Sequence, residues 1–196
     1  MRKDVEIALQ RLEGFEEPSA SLEQYETPAP LASRLLHLAW SRGDLDGWVL
    51  DLGCGTGVLG VGAALYGARV VGVDVDSDAL RTARHNAESA GVGEKTDWVR
   101  GDVGSVPVRQ VDTVVMNPPF GAQKRGADRP FLRTAESVAD TVYTVHNQGS
   151  RSFVESFVEG EITDAFEARI VLPHRFEFHD EEAREITVEI YRLSST

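Results

Sequence analysis

"LDLGCGTGVLG" occupies residues 50–60, and its reading decides the fold. An apolar run from Trp48 carries Asp51 within it and breaks into glycine at positions 53, 55 and 57. Aliphatic residues then resume from Val58. This is the pattern of a buried strand, a tight turn and a helix. Glycines allow the turn and let backbone N–H groups come close to a ligand.

The same alternation repeats outward. "ARVVGVDV" (68–75) is a second strand, followed by a helix over 78–90; "TDWVRGD" (96–102) and "VDTVVMN" (111–117) are the third and fourth. A helix near 129–139 leads to "TVYTVH" (141–146), a helix near 150–160 to "FEARIVLP" (166–173), and "EITVEIYRL" (185–193) comes last. Two helices, over 1–14 and 31–41, precede the first strand, with a proline-containing loop over 15–30. Strands alternating with helices imply an α/β fold: seven strands in a mostly parallel sheet with helices on both faces. The whole chain, 1–196, is expected to form one domain, with 1–45 as a helical extension and 46–196 as the core.

A nucleoside is the expected ligand. Asp74 ends the second strand 21 residues after Gly53, where a carboxylate accepts hydrogen bonds from ribose hydroxyls. Asp102 and Val103 follow the third strand, placed to meet an adenine edge. The spacing Asp51-x-Gly53-x-Gly55-x-Gly57 differs from the Gly-x-Gly-x-x-Gly of nicotinamide binders. It resembles the first motif of class I S-adenosylmethionine-dependent methyltransferases, whose Rossmann-like fold is thereby expected.

The fourth strand stops in Asn117-Pro118-Pro119-Phe120. Each proline fixes its own φ and holds the residue before it extended. The Asn117 side-chain oxygen and the Pro118 carbonyl then point the same way, as a pair of acceptors. An adenine amino group has two N–H donors for such a pair, and Phe120 can stack on the base. Lys124, Arg125, Arg129 and Arg133 against Asp128 give 4 − 1 = +3 over residues 121–133, in a chain of net charge −12. Such a cluster suits phosphate contacts beside a flipped base.

Composition narrows the classes further. With 41% hydrophobic residues and no apolar run of membrane length, a cytoplasmic protein is expected. Cys54 is the single cysteine, so neither a disulfide framework nor a thiolate metal cluster is expected. The five histidines lack metal-ligand spacing; His146 either lines the pocket beside Tyr143 or packs at its strand end, and His174 and His179 read as loop residues. Acidic residues outnumber basic ones 32 to 20, and only Lys3, Lys95 and Lys124 are lysine. A surface of that kind suits concentrated salt, which points to a halophilic source.

Several stretches together resemble the methyltransferase-like protein 5 family, the adenine N6-methyltransferases of small-subunit ribosomal RNA. They are "RLEGFEEPSASLEQYETP" (11–28), "DLGCGTGVLGVGAALYGA" (51–68), "GVDVDSDAL" (72–80), "VVMNPPFG" (114–121), "GADRPFL" (126–132), "VYTVH" (142–146) and "LPHRFEFH" (172–179). The resemblance implies S-adenosylmethionine as cofactor. It implies that Gln24 and Thr27 close over it, that Gly53, Thr56 and Val58 line its methionine side, Asp74 its ribose, and Asp102 with Val103 its adenine. It also implies a small zinc-binding activator subunit that adds a strand beside "TDWVRGD", with Trp98 expected at the junction. One departure stands out: Asp180-Glu181-Glu182 follow His179 where such relatives carry a lysine-rich run. Rival readings are a methyltransferase for protein glutamine or guanine N2, and a cofactor-binding scaffold without catalysis.

Overall fold

The structure, a computed structural model, describes residues 1–121, 124–173 and 183–194. Residues 174–182, with His174, His179 and the acidic run, lie outside the described residues. Seven strands form one sheet: β1 (Trp48–Leu52), β2 (Arg69–Asp74), β3 (Thr96–Arg100), β4 (Thr113–Met116), β5 (Thr141–Asn147), β6 (Glu161–Pro173) and β7 (Ala183–Ser194). Their order is β3-β2-β1-β4-β5-β7-β6. The first five run parallel, and β7 is antiparallel to both β5 and β6.

Side chains of successive residues enter opposite layers, as the pleat requires. Val49 and Val115 join the layer of helices α1 (Arg2–Leu9), α2 (Ala29–Ser41), α3 (Val58–Leu65) and α4 (Ser77–Ser89). Leu50 and Val114 join the layer of α5 (Arg129–Val138) and α6 (Arg151–Phe157). Burial on both faces explains why β1 reads as an almost continuous apolar run. The expected Rossmann-like α/β fold, with seven mostly parallel strands and helices on both faces, is the fold observed.

Two elements end earlier than their sequence pattern suggests. The helix expected over 1–14 stops at Leu9, and Asn86 captures the next segment. The Asn86 side chain accepts from Glu13 N–H at 2.8 Å and donates to the Glu13 carbonyl at 2.9 Å. The helix expected over 150–160 stops at Phe157, because Glu136 Oε1 accepts from the N–H groups of Glu159 and Gly160 at 2.9 and 3.0 Å. Strand β6 begins at Glu161, five residues before the expected start.

The edge position expected for "TDWVRGD" is the one β3 occupies, but Trp98 is not at an exposed junction. Its side chain is 8% exposed and turns inward under α3 and α4. Gly57, Gly60 and Gly72 make room for the ring: a Cβ on Gly72 would come within 2.3 Å of it. Trp98→Glu would therefore place a charge in the core, and it cannot serve as an interface test.

Candidate active site

The C-terminal ends of the parallel strands share one edge of the sheet, where ligands bind in open α/β folds. A cavity of about 300 Å³ lies there. Its walls come from the glycine turn after β1, Asp74 and Val75 at the end of β2, Gly101–Val103 after β3, Asn117 and Pro119 after β4, and a strap over residues 21–27.

The glycine turn is tight because Gly53, Gly55 and Gly57 hold φ of 70, 52 and 84°, a region that L side chains rarely adopt. Aromatic rings also press on the turn. A Cβ on Gly53 would come within 2.6 Å of Phe131, and one on Gly55 within 2.8 Å of Phe15. Both rings line the cavity. Both lie in stretches that carry the family resemblance, 11–28 and 126–132, but nothing in the sequence assigns either ring to the glycine turn.

Three carboxylates frame this half of the cavity, and each holds backbone N–H groups. Asp74 Oδ2 accepts from Gly55 at 2.8 Å and Oδ1 from Asp76 at 3.0 Å. Asp51 Oδ2 accepts from Gly60 at 2.7 Å, and Asp102 Oδ1 from Gly104 at 2.8 Å. Burial pushes the Asp51 carboxyl up to about 7, opposed by the Gly60 N–H and reinforced by the charge of Asp74. Burial raises Asp74 too, against the pull of the Asp76 and Gly55 N–H bonds. Cys54 lies in the same turn, buried, its thiol held well above the usual range by burial and by Asp51 and Asp74. It has none of the thiolate character of a nucleophile.

The strap is latched at two points. Gln24 is buried in the wall, its Oε1 accepting from Ser19 N–H at 2.7 Å and its Nε2 donating to Asp76 Oδ2 at 2.7 Å. The Gln24 bond holds Asp76 below the usual carboxylate range. Thr27 Oγ1 accepts from Asn117 Nδ2 at 3.0 Å. Just before the first latch Glu23 turns back at φ 51°, a left-handed conformation found mainly where the surrounding structure imposes it.

Asn117 is the site's outlier. Its Nδ2 is spent on Thr27, while its Oδ1 is buried and has no hydrogen-bond partner among the described residues. A buried amide oxygen left unpaired costs about 1–3 kcal/mol. Asn117 also lines the cavity, which makes this oxygen a candidate acceptor for a donor bound there.

Of the residues singled out by sequence, the cavity brings together Gln24, Thr27, Asp51, Gly53, Gly55, Thr56, Val58, Asp74, Asp102, Val103, Asn117, Pro119 and Lys124. It does not bring in Pro118, which is buried, or Phe120, which is half-buried against the core of α1–α4. Arg125, Arg129 and Arg133 are exposed and stand outside it. His146 is also outside, packed at its strand end. Its Nε2 lies 3.0 Å from Thr144 Oγ1, and burial lowers its pKa to about 4. Among the described residues, no group of histidine, cysteine and carboxylate side chains is arranged to hold a metal.

The residues fit a nucleoside-bearing cofactor that has no phosphate. Carboxylates ring the glycine turn where a dinucleotide would need basic groups or free helix N-terminal amides, and Asp74 sits where ribose hydroxyls are read.

Comparison with known proteins agrees. The family model for the methyltransferase small domain matches residues 31–153. The zebrafish (Danio rerio) rRNA N(6)-adenosine-methyltransferase METTL5 is 38% identical over 99% of this chain and 99% of its own. The Drosophila melanogaster enzyme of the same description is 35% identical over 97% of this chain and 95% of its own. The crystal structure of a candidate RNA methyltransferase from Pyrococcus horikoshii superposes with a TM-score of 0.93 at 42% identity, covering 100% of this chain and 98% of that one. From its glycine turn to its Asn-Pro-Pro-Phe stretch, the chain belongs to the methyltransferase small-domain family and, within it, to the METTL5 group.

Proposed function

We propose that the protein is an S-adenosylmethionine-dependent methyltransferase acting on the N6 amino group of an adenosine in ribosomal RNA, with the small subunit as its source. The partnerless Asn117 Oδ1 carries this reading. Full-length similarity to enzymes with that activity supports it.

The cofactor supplies a methyl group already activated on a sulfonium. The chain's own task is mainly positioning. Asn117 Oδ1 and the Pro118 carbonyl accept the two N–H bonds of the adenine amino group. Holding both hydrogens out of the ring plane weakens conjugation of the nitrogen lone pair, which would then be available to a bound cofactor's methyl carbon, the sulfur leaving with its electron pair as a neutral thioether. The nitrogen then loses one proton to solvent, so no strong base is required. Pro119 stiffens the turn, and Phe120, half-exposed, offers a ring to the base. Asp74, Asp102 and Val103 hold the nucleoside part of the cofactor. Asp51, Gly53, Gly55, Thr56 and Val58 shape the methionine side, with Gln24 and Thr27 on the strap above. Lys124, Arg125, Arg129 and Arg133 guide the RNA backbone.

A partner belongs to the same reading. Among the described residues, strand β3 pairs only with β2, so its outer side offers unpaired N–H and C=O groups, flanked by exposed Asp97 and Arg100. A small zinc-binding activator subunit adds its strand there through main-chain bonds, with Trp98 held inside. Slower hydrogen exchange over residues 96–100 on coexpression is the expected sign; unchanged exchange contradicts it. No described helix is long and apolar enough to cross a membrane. The acidic, lysine-poor composition suits a salt-rich cytoplasm, in which thermal stability rises with salt.

Mass spectrometry of ribosomal RNA nucleosides from a deletion strain tests the reaction. One N6-methyladenosine should disappear and return when the strain's RNA is treated with the protein and cofactor. Loss of N2-methylguanosine, or of a methylated glutamine in a ribosomal protein, would overturn it.

A further inference from the structure

Outside the cavity, the outer faces of α5 and α6 carry a cluster of cations on rings. The guanidinium of Arg129 lies 5.7 Å from the ring centroid of Phe153 and 5.9 Å from that of Phe157. Arg133 lies 5.3 Å from Phe157. The two rings are 5.4 Å apart and tilted by 33°. Both phenylalanines are half-exposed while both arginines are exposed, so the cluster faces solvent.

Two features separate this patch from ordinary surface. Arg129 and Arg133 stand one helical turn apart, where like charges repel. Yet two nearby carboxylates are turned to other partners. Glu136 Oε1 accepts the N–H groups of Glu159 and Gly160, and Glu155 pairs with Arg151 at 2.8 Å. Asp128, which precedes Arg129, balances part of its charge, but among the described residues no ion pair joins Arg129 or Arg133 to a carboxylate, so the two guanidinium groups remain open to an anion. The patch is also continuous with the cavity. Helix α5 carries Phe131, which lines the cavity, and follows directly on Lys124 and Ala127, which also line it.

We propose that this α5–α6 face is a stacking platform for the single-stranded RNA beside the target adenosine, with Phe153 and Phe157 as base-contacting residues. Arg129 and Arg133 take the phosphates, and bases stack on the mixed surface of rings and guanidinium planes. A duplex does not fit this role, because its bases are already stacked on each other. The platform rests on the RNA reading above and adds to it an aromatic half that no motif in the sequence marks.

Binding of a short fluorescein-labelled single-stranded oligoribonucleotide by the full chain, with its partner if the two copurify, tests this across a salt series. Arg129→Gln with Arg133→Gln should lower affinity and flatten the slope of log K against log salt by about 0.7 for each phosphate that no longer meets an arginine. Phe157→Leu keeps an apolar side chain over the core. It should weaken binding about 5- to 150-fold, the equivalent of ~1–3 kcal/mol per stacked base, with the slope unchanged. Cofactor affinity, measured by calorimetry, should stay at the parent value in all variants. This contrast in slopes separates direct RNA binding from general loosening of the fold, which would alter cofactor affinity and melting temperature together. Parent-like RNA affinity and slope in both variants would overturn the platform even if the chain methylates RNA; an acidic protein would then be the ligand of this face. A parent chain without RNA affinity that methylates a protein would overturn the RNA reading itself.

Discussion

The two halves of the cavity are finished to different degrees. Around the glycine turn every framing carboxylate is already engaged: Asp74 holds Gly55 and Asp76, Asp51 holds Gly60, and Asp102 holds Gly104. This half is organised before anything binds. Across the cavity, Asn117 has one end fixed by Thr27 and the other buried without a partner among the described residues. In the proposed reading that half is completed by the substrate. The contrast fits a division of labour in which one side stores a cofactor and the other waits for a base.

Removing the unfinished atom should have the largest effect. Asn117→Ala should lower the rate of methyl transfer by about 100-fold or more, the scale seen when one preorganised polar group is removed from a reacting centre. Cofactor affinity should remain nearly that of the parent, since the glycine turn and Asp74 are untouched. Near-normal turnover would erase the distinction between the halves. Asp74→Ala should do the reverse. Losing charged hydrogen bonds of ~1.5–3 kcal/mol corresponds to about a 10- to 150-fold weaker cofactor, visible by calorimetry, with RNA affinity retained. Unchanged cofactor affinity would remove Asp74 from the nucleoside site.

Thr27 bridges the halves, and its effect should be smaller. Thr27→Val leaves the Asn117 amide N–H without its acceptor, at a cost of ~1 kcal/mol, and methyl transfer should fall about 5-fold. Thr27→Ser keeps the hydroxyl and should recover most of the rate. Equal rates in Val and Ser variants would show that packing, not the bond, matters at this position.

A separate contrast lies in acid stability, where the halves and their surroundings carry opposite signs. Asp51, raised to about 7, binds a proton more readily folded than unfolded, so it adds stability as pH falls from about 7 towards 4. His146, lowered to about 4, prefers to be neutral when folded, so its contribution is lost as pH falls from 6.5 towards 4. Asp51→Asn should therefore lose stability more steeply than the parent between pH 7 and pH 4, and His146→Gln less steeply. Melting curves across that range check both. Parallel curves for all three proteins would contradict these assignments.

The finished half was the more legible in sequence. Asp51, Gly53, Gly55 and Asp74 stand out because a tight turn and a strand-end carboxylate demand particular residue types at fixed spacing. The alternation of strands and helices was legible for the same reason, since each layer imposes its own period on the chain. What failed to show depended on distant segments meeting. Trp98 looks like an edge residue by position, yet its ring fills space left by three glycines on two other elements. Phe15 and Phe131 meet the glycine turn only after the chain folds. Glu136 ends α6 from another helix, which no reading of residues 150–160 alone could supply. Asn117 was visible as an acceptor, but the bond that spends its N–H on Thr27, ninety residues away, was not.

The claim at the centre is that Asn117 Oδ1 meets the amino group of the target base. A double-mutant cycle measures this directly, using RNA in which the target adenosine is replaced by purine riboside, which lacks that group. The parent should bind the adenosine RNA about 10-fold or more tightly than the purine RNA. Asn117→Ala should discriminate between the two much less, keeping only the share that the Pro118 carbonyl supplies. If the variant still discriminates between them as strongly as the parent, Asn117 does not hold the amino group and the site works another way.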